Sequence, residues 1–365
     1  MTGAAVRYTN IQFLRVAAAV GVVLFHLGCH APVLVGADPA AFRHTLCAGF
    51  PVPLFFAVSG FVLAHALRGA APGRFLVARF LRLYPGYWLA VLLTLGLMRA
   101  GALTEHHRWL PVFVGGVTLS LWPAGPDAVV VYPLGVEWSL IYEVFLSAAL
   151  AVFGLVGRGR VVAVLAAAWL VGLGVKAVVA PGFAFDARAH WSTIGLSAYA
   201  APFLLGVLVY QVRGADRRWA WLAAPAALGC LVAACTRPVT LEQLWGLLGL
   251  AAAGVVWLAV ALPQASERNR LARLGDCTYG LFLIHVPLMM GVLHAAARAG
   301  WAGWEPAALA LGVALAGGLL FGRLECAVHA RLRPLAKADA RALLTRARRV
   351  LRVKSASAGP ASRAP

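Results

Sequence analysis

The chain has 365 residues, of which 62% are hydrophobic and 12% are charged, and its mean hydropathy is +0.82. This composition excludes an ordinary soluble globular protein, and the repeated apolar runs of about twenty residues are typical of membrane helices and not of barrel strands. The formal charge of +19 would suit either nucleic acid or a membrane, but the basic residues concentrate in alternate connectors and in the tail, so we predict a lipid bilayer as partner and no nucleic acid.

Ten membrane-spanning helices are predicted, because an even number keeps both the N-terminus and the basic C-terminal tail in the cytoplasm. They lie near residues 10–28, 49–67, 78–98, 136–156, 161–180, 193–212, 219–235, 241–262, 276–298 and 305–323. The connectors that become cytoplasmic then carry the following arginines: Arg68, Arg74, Arg79 and Arg82; Arg158 and Arg160; Arg213, Arg217 and Arg218; Arg268, Arg270 and Arg273. The fold class is therefore all-α, a polytopic protein of the inner (plasma) membrane whose first helix is expected to be retained.

The run from Trp109 to Trp122 is apolar, yet it is short for a crossing and would reverse the side of every later connector. We predict a re-entrant or interfacial segment there, within an outer region of residues 99–135 that covers the mouth of a site. Residues 1–326 are predicted to form one transmembrane domain. Residues 327–365 are predicted to form a basic cytoplasmic tail, with an amphipathic surface helix first and a disordered end.

The first predicted span carries two ionisable residues, Arg15 and His26, in an otherwise apolar run. Ionisable groups are costly inside a membrane, although a lone histidine there can have a purely structural role. Eleven residues make almost three turns, so the two side chains share one helix face and lie roughly 16 Å apart along the axis. The stripe between them contains Ala19 and Val22, which predicts a slot for a slender ligand with a charge at one end and a base at the other.

The third span opens with two arginines, Arg79 and Arg82, that are three residues apart and share a face near a helix N-terminus. Guanidinium groups bind phosphates through forked hydrogen bonds, and the helix dipole favours an anion at the same end. The pair therefore predicts a phosphate site. The structural alternative is that both side chains only anchor the helix to lipid headgroups.

The fourth span places Glu143 about two turns inside the membrane, with Ser139 one turn away on the same face. A carboxylate at this depth needs a partner. Glu143 is open to three roles: it can orient a histidine, accept a proton, or form a structural ion pair with an arginine such as Arg15.

Two further spans carry signals with structural explanations. In the second span, Ser59 and Gly60 place small residues in mid-helix, where they permit close helix approach. In the ninth span, His285 is predicted to support the site or the fold instead of reacting itself. The six cysteines show no metal-ligand spacing, so no metal site is predicted.

Together and in this order, these segments resemble the acyltransferase family 3 membrane proteins, which move acyl groups onto sugars and related acceptors. The resemblance covers most of residues 7–326. It rests on the spacing from Arg15 to His26 and on four motifs: Phe55-Phe56-x-x-Ser59-Gly60-Phe61, Arg79-x-x-Arg82-Leu83-Tyr84-Pro85, Trp138-Ser139-Leu140-x-x-Glu143 and Tyr279-x-Leu281-Phe282-Leu283-x-His285-x-Pro287. The chain departs from the family at Pro53-Leu54, where many relatives carry an acid, and at Glu325-Cys326-Ala327, a degraded Glu-x-Pro element that leaves the role of Glu325 open.

The resemblance implies a catalytic role for His26 and donor-binding roles for Arg15, Arg79 and Arg82. It also implies an acyl-CoA, with acetyl-CoA expected, as a co-substrate and not a bound cofactor. The predicted protein is a membrane O-acyltransferase that moves the acyl group to a hydroxyl of a saccharide or glycosylated acceptor. His26 would act as general base with Glu143 poising it, while the pantetheine arm threads along the stripe of small residues. The rival interpretation is a transporter or flippase of a lipid-linked saccharide.

Overall fold

Membrane-length apolar helices make up the fold, as the composition predicts. The computed structural model of the chain describes residues 8–42, 49–103, 119, 134–181 and 193–337. Within these ranges there are ten α-helices, two short 3-10 helices and no β-strand. Nine of the α-helices are long and apolar enough to cross a membrane, and a tenth is apolar but shorter. The predicted class, an all-α polytopic membrane protein, is confirmed.

The helices are numbered here in chain order. They are α1 (Asn10–Val35), α2 (Pro51–Arg68), α3 (Pro72–Arg99), α4 (Glu137–Val156), α5 (Arg160–Val179), α6 (Ala200–Val212), α7 (Arg217–Thr236), α8 (Leu241–Ala261), α9 (Arg270–Arg298) and α10 (Trp304–Lys337). Their ends follow local chemistry. Prolines occupy the first turn of α2 and α3, where a missing N–H costs nothing. Thr240 and Gln243 form a capping box on α8, and the Asn269 side chain accepts two backbone N–H groups of α9.

Several predicted boundaries are wrong, each for a local reason. α1 continues past residue 28 through Pro32 and stops at Gly36, whose φ of 63° favours glycine. α3 and α9 begin six residues earlier than predicted, at Pro72 and at the Asn269 cap. The sixth span begins at Ala200 and not at residue 193, because Ser197 is extended and separates a 3-10 turn at Ile194–Leu196 from the helix.

The C-terminal helix α10 is longer than the predicted tenth span. It runs through residue 323, and through the proposed domain boundary at 326, to Lys337. The first part of the predicted tail therefore continues this helix. The rest of the tail, from residue 338, and nearly all of the segment Trp109 to Trp122 lie outside the described residues, so both predictions stand as they were made.

Contacts between helix ends divide the described connectors into two faces. On one face Asn10 bonds to the carbonyls of Ala259 and Pro263, and Arg158 bonds to the carbonyl of Ala70 at 3.5 Å. The ring centroids of Tyr8 and His65 are 5.8 Å apart, and this contact links the two groups of connectors. On the other face Gly303 donates to Val35, and Arg298 donates to Gly101. The ends that were predicted to be cytoplasmic thus share one face of the bundle.

Helix packing is dense around α9, which lies against both α10 and α1, and also between α2 and α6 and between α7 and α8. The α2–α6 contact brings backbones together: a Cβ at Gly60 would lie 2.0 Å from the carbonyl oxygen of Phe203, and one at Gly206 would lie 2.0 Å from that of Ala57. The prediction that Gly60 permits close approach is confirmed. By contrast, α5 and α7 bury little of their surface and expose apolar side chains, as lipid-facing helices do.

Candidate active site

A cavity of about 300 Å3 lies between α1, α2, α3, α4 and α9. Its walls are largely apolar, and its polar lining brings together the arginines and the carboxylate that the sequence singled out. These polar side chains are Arg15, Ser59, Arg79, Arg82, Ser139, Glu143, Thr278 and Tyr279. Four of the five predicted site residues are therefore in one place, although they come from three helices.

Glu143 forms an ion pair with Arg79. The same carboxylate oxygen, Oε1, lies 3.4 Å from the hydroxyl of Ser59, which donates to it. Of the three roles left open for Glu143, the ion pair with an arginine is the one the structure shows, and the arginine is Arg79 and not Arg15. Arg79 on α3, Glu143 on α4 and Ser59 on α2 thus join three helices at one wall of the cavity, while Nε of Arg79 is buried there without a hydrogen-bond partner among the described residues.

Arg82 forms the second ion pair, with Glu325 of α10. The Glu325 side chain is only 1% exposed, so the bundle holds this carboxylate out of solvent. The Arg82 guanidinium also lies over the ring of Tyr279, 4.9 Å from its centroid, and the Tyr279 hydroxyl donates to the carbonyl of Leu83 at 2.8 Å. Arg82 is therefore fixed by contacts from two other helices.

The Pro85-Gly86 pair in α3 makes this arrangement possible. Proline has no N–H to donate to the carbonyl four residues earlier, that of Leu81, and His329 Nδ1 lies 3.3 Å from this carbonyl oxygen. Glycine leaves space: a Cβ at Gly86 would lie 2.6 Å from Cγ of Glu325. Pro85 and Gly86 thus let α10 approach α3 closely enough for Glu325 to contact Arg82.

Arg15 differs from the other two arginines. Its hydrogen bond within the described residues is a long one, 3.4 Å, to the side chain of Gln12 on its own helix. Arg79 and Arg82 each pair with a carboxylate. Asp276 of α9 interacts favourably with Arg15 without forming an ion pair within the described residues. Three guanidinium groups that converge on one largely apolar cavity favour an anionic ligand.

His26 lies apart from the cavity lining and next to His285 of α9. The Nδ1 atom of His26 is 3.1 Å from Nε2 of His285 and 3.1 Å from the carbonyl oxygen of Val22. The His30 ring is parallel to that of His26, with centroids 6.2 Å apart. The ring centroids of Phe282, which lines the cavity, and His285 are 5.9 Å apart. The histidine pair is therefore next to a residue of the cavity wall.

Two parts of the predicted geometry are wrong. The stripe between Arg15 and His26 is not a slot: Ala19 is 1% exposed and packs in an apolar cluster with Leu281 and Met289, because small residues let α9 approach α1 closely. The open space instead runs beside α2 and α9. In addition, the described partner of His26 is His285, whereas Glu143, which was predicted to poise it, is engaged with Arg79.

Sequence reasoning named two further residues, Glu325 and His285, without the partners that the structure gives them beside the cavity. The role of Glu325 was left open because its motif is degraded, yet it is the partner of Arg82. His285 was predicted to have a supporting role without a named partner, and the structure gives that partner as His26. A signal for Glu325 existed, since a carboxylate inside an apolar helix calls for a cation, but the sequence does not show which of several arginines it meets.

The fold and the site together define a multi-pass membrane protein with an arginine-rich cavity beside a histidine pair. Residues 8–323 match the acyltransferase 3 family, described as an acyltransferase domain. The chain belongs to this family. Over 76 residues it is also 49% identical to Protein 2 in picA locus of Rhizobium radiobacter, an alignment that covers 19% of this chain and 37% of that protein. No solved structure matches the chain.

Proposed function

We propose that the protein transfers an acyl group, acetyl in the simplest case, from acyl-CoA to a hydroxyl of a saccharide or glycosylated acceptor. The observation that carries the proposal is the convergence of three arginines on one largely apolar cavity, one lining residue of which, Phe282, contacts the histidine pair through His285. Coenzyme A combines several phosphates with a slender, weakly polar arm, and these two features correspond to the arginines and to the apolar remainder of the cavity.

In this proposal Arg15, Arg79 and Arg82 bind the donor phosphates. The ion pairs of Arg79 and Arg82 hold their guanidinium groups in place before the donor arrives, which reduces the ordering cost of binding. The pantetheine arm then lies beside α2 and α9, and the thioester comes to the end of the cavity near Phe282. His26 is near this end because it contacts His285, which in turn contacts Phe282.

His26 acts as general base in the proposed reaction. It removes the proton of the acceptor hydroxyl as the oxygen attacks the thioester carbonyl carbon, so that a C–O bond forms. The C–S bond then breaks, and the departing thiolate of coenzyme A takes up the proton that His26 accepted. A base in this role contributes typically 10²- to 10⁴-fold to the rate.

The proposed location is the inner (plasma) membrane, with both termini in the cytoplasm. The face that carries Asn10, Ala70 and Arg158 would then be cytoplasmic, which matches the basic connectors on that face. Arg15 lies near this face, so the donor enters from the cytoplasm, where acyl-CoA is made. His26 lies farther along α1, toward the face where the acceptor is expected.

Radiolabelled acetyl-CoA tests the proposal. Purified protein in proteoliposomes is mixed with the labelled donor and a membrane extract of its host as acceptor source. We expect label in the saccharide fraction with the native chain and a loss of about 10²- to 10⁴-fold with His26→Ala. The matched control is His65→Gln, another membrane-helix histidine, whose ring contacts Tyr8 and Tyr210 away from the cavity.

The same experiment addresses the rival interpretation. Saccharide flux across the liposome membrane without any transfer of label would point to a transporter and overturn the proposal. Normal transfer by His26→Ala that is correctly folded would refute the role of that histidine. Size-exclusion chromatography of each variant in detergent establishes that it is folded.

A further inference from the structure

We infer that His285 is a positioning residue that fixes the tautomer of His26 and leaves Nε2 of His26 as the basic nitrogen. The inference rests on the proposed function, in which His26 is the general base. Its evidence is independent of the family resemblance, because it comes from the atoms that face each ring nitrogen. A neutral imidazole carries one N–H and one lone pair, so every partner restricts which nitrogen holds the proton.

The proton of His285 is assigned by its own helix. Its Nδ1 atom lies 2.7 Å from the carbonyl oxygen of Phe282. A carbonyl oxygen can only accept, so Nδ1 must carry the hydrogen. The His285 side chain is 0% exposed, and a charged imidazolium at such a site would be costly, so the ring is neutral. Its Nε2 atom therefore has the lone pair and accepts.

The proton of His26 follows from that of His285. The Nδ1 atom of His26 faces two acceptors, Nε2 of His285 and the carbonyl oxygen of Val22, each at 3.1 Å. It must therefore carry the hydrogen, which it shares between them. If Nε2 carried the proton in both rings instead, the Nδ1 lone pair of His26 would face the carbonyl oxygen of Val22, and that of His285 would face the carbonyl oxygen of Phe282. The two carbonyls thus support the same assignment independently.

The consequence is that the free lone pair of His26 is on Nε2, the nitrogen that does not face His285. A proton taken from the acceptor hydroxyl goes there. The imidazolium that forms keeps its Nδ1–H bonded to two acceptors, so the neighbouring groups are already arranged for the charge. His285 itself is fully buried and acts only through His26. Residues that hydrogen-bond to the ligands of metal sites in other proteins orient those ligands in the same way.

Two substitutions separate an orienting role from simple packing. In His285→Gln the amide oxygen can still accept from Nδ1–H of His26, whereas in His285→Leu a side chain of similar size cannot. We expect His285→Leu to lower kcat about 10- to 100-fold, less than the loss of the base itself, with KM for acetyl-CoA unchanged. We expect His285→Gln to recover most of that loss.

The tautomer is read directly by nitrogen NMR of protein labelled at the histidine ring nitrogens. The His26 signals are assigned by their absence from His26→Gln. We expect the Nδ1–H form in the native chain and a larger share of the Nε2–H form in His285→Leu. Native kcat for His285→Leu, or an equal loss in both His285 variants with no change of tautomer, would overturn the inference. If the native chain transfers no acyl group, the proposed function fails, whereas the tautomer measurement still tests the pairing of His285 with His26. If His26→Ala is fully active, acyl transfer stands but the role of His26 as base fails, and this inference fails with it.

Discussion

At the residue scale, the main feature is that two of the three cavity arginines are already paired with carboxylates. Glu143 holds Arg79 and Glu325 holds Arg82, while Arg15 has a long bond to Gln12. Removing one partner of a buried pair leaves the other charge uncompensated, which is costly away from water. The carboxylates therefore keep the guanidinium groups of Arg79 and Arg82 at fixed positions, and Arg15, which has no ion pair within the described residues, is the one best placed to exchange its contacts for an anion.

Glu325 is expected to act on donor binding through Arg82. We predict that Glu325→Gln raises KM for acetyl-CoA about 10-fold, equivalent to about 1.4 kcal/mol, because Arg82 loses the partner that fixes it. The double variant Glu325→Gln/Arg82→Gln should be no worse than Arg82→Gln alone, since the effects of directly contacting residues are not additive.

The control for this cycle is Glu305→Gln, which removes a carboxylate from the exposed first turn of the same helix. It should leave KM unchanged. Additive effects of Glu325→Gln and Arg82→Gln would mean that the two side chains act separately and would contradict the prediction. Steady-state kinetics over a range of acetyl-CoA concentrations is measured for the native chain and the four variants.

At the element scale, α2 connects the fold to the cavity. One face of it carries Phe55 and Ser59 into the cavity lining, and another packs Gly60 against the backbone of α6. Neither contact allows the helix to move far, because glycine positions of this kind place two backbones in direct contact. A change at the α2–α6 contact is therefore expected to reach the site.

Gly60→Ala is predicted to destabilise the protein by about 1–3 kcal/mol or more, because the new Cβ would lie 2.0 Å from a backbone oxygen of α6 that cannot move aside alone. The apparent Tm in detergent should fall, and transferase activity should fall with it. Gly172→Ala in α5 is the matched control, since a Cβ there meets nothing within 4 Å. Equal Tm values for the two variants would show that the α2–α6 contact is not rigid.

Sequence alone predicted the existence of the helices better than their partners. Most of the apolar runs are recognisable because a helix that crosses the bilayer core needs about twenty apolar residues, and nine of the ten described α-helices are that long and apolar. The pairing of Arg82 with Glu325 joins residues 243 positions apart, and no local pattern specifies it. The stripe beside Ala19 illustrates the same limit: small residues suit a ligand slot or a close helix contact equally well, and only the position of α9 decides.

At the scale of the whole molecule, charge and packing point to the same arrangement. The basic connectors after α2, α4, α6 and α8 were expected on one side, and contacts of Arg158 with Ala70 and of Asn10 with Pro263 bring such ends together. The contacts Gly303 to Val35 and Arg298 to Gly101 gather ends of the other set. The proposed orientation, with the first face in the cytoplasm, follows the positive-inside rule.

This assignment predicts the outcome of reporter fusions. Alkaline phosphatase needs the oxidising side of the membrane to form its disulfides, so it should be inactive when fused after Gly159 and active when fused after Pro238. A fluorescent protein that folds only in the cytoplasm should be bright at the C-terminus. Three helices, α5 to α7, separate Gly159 from Pro238, so the two fusions lie on opposite sides in either orientation. The reversed pattern would place the entrance of the arginine cavity on the outside, where acyl-CoA is absent, and would require a different donor.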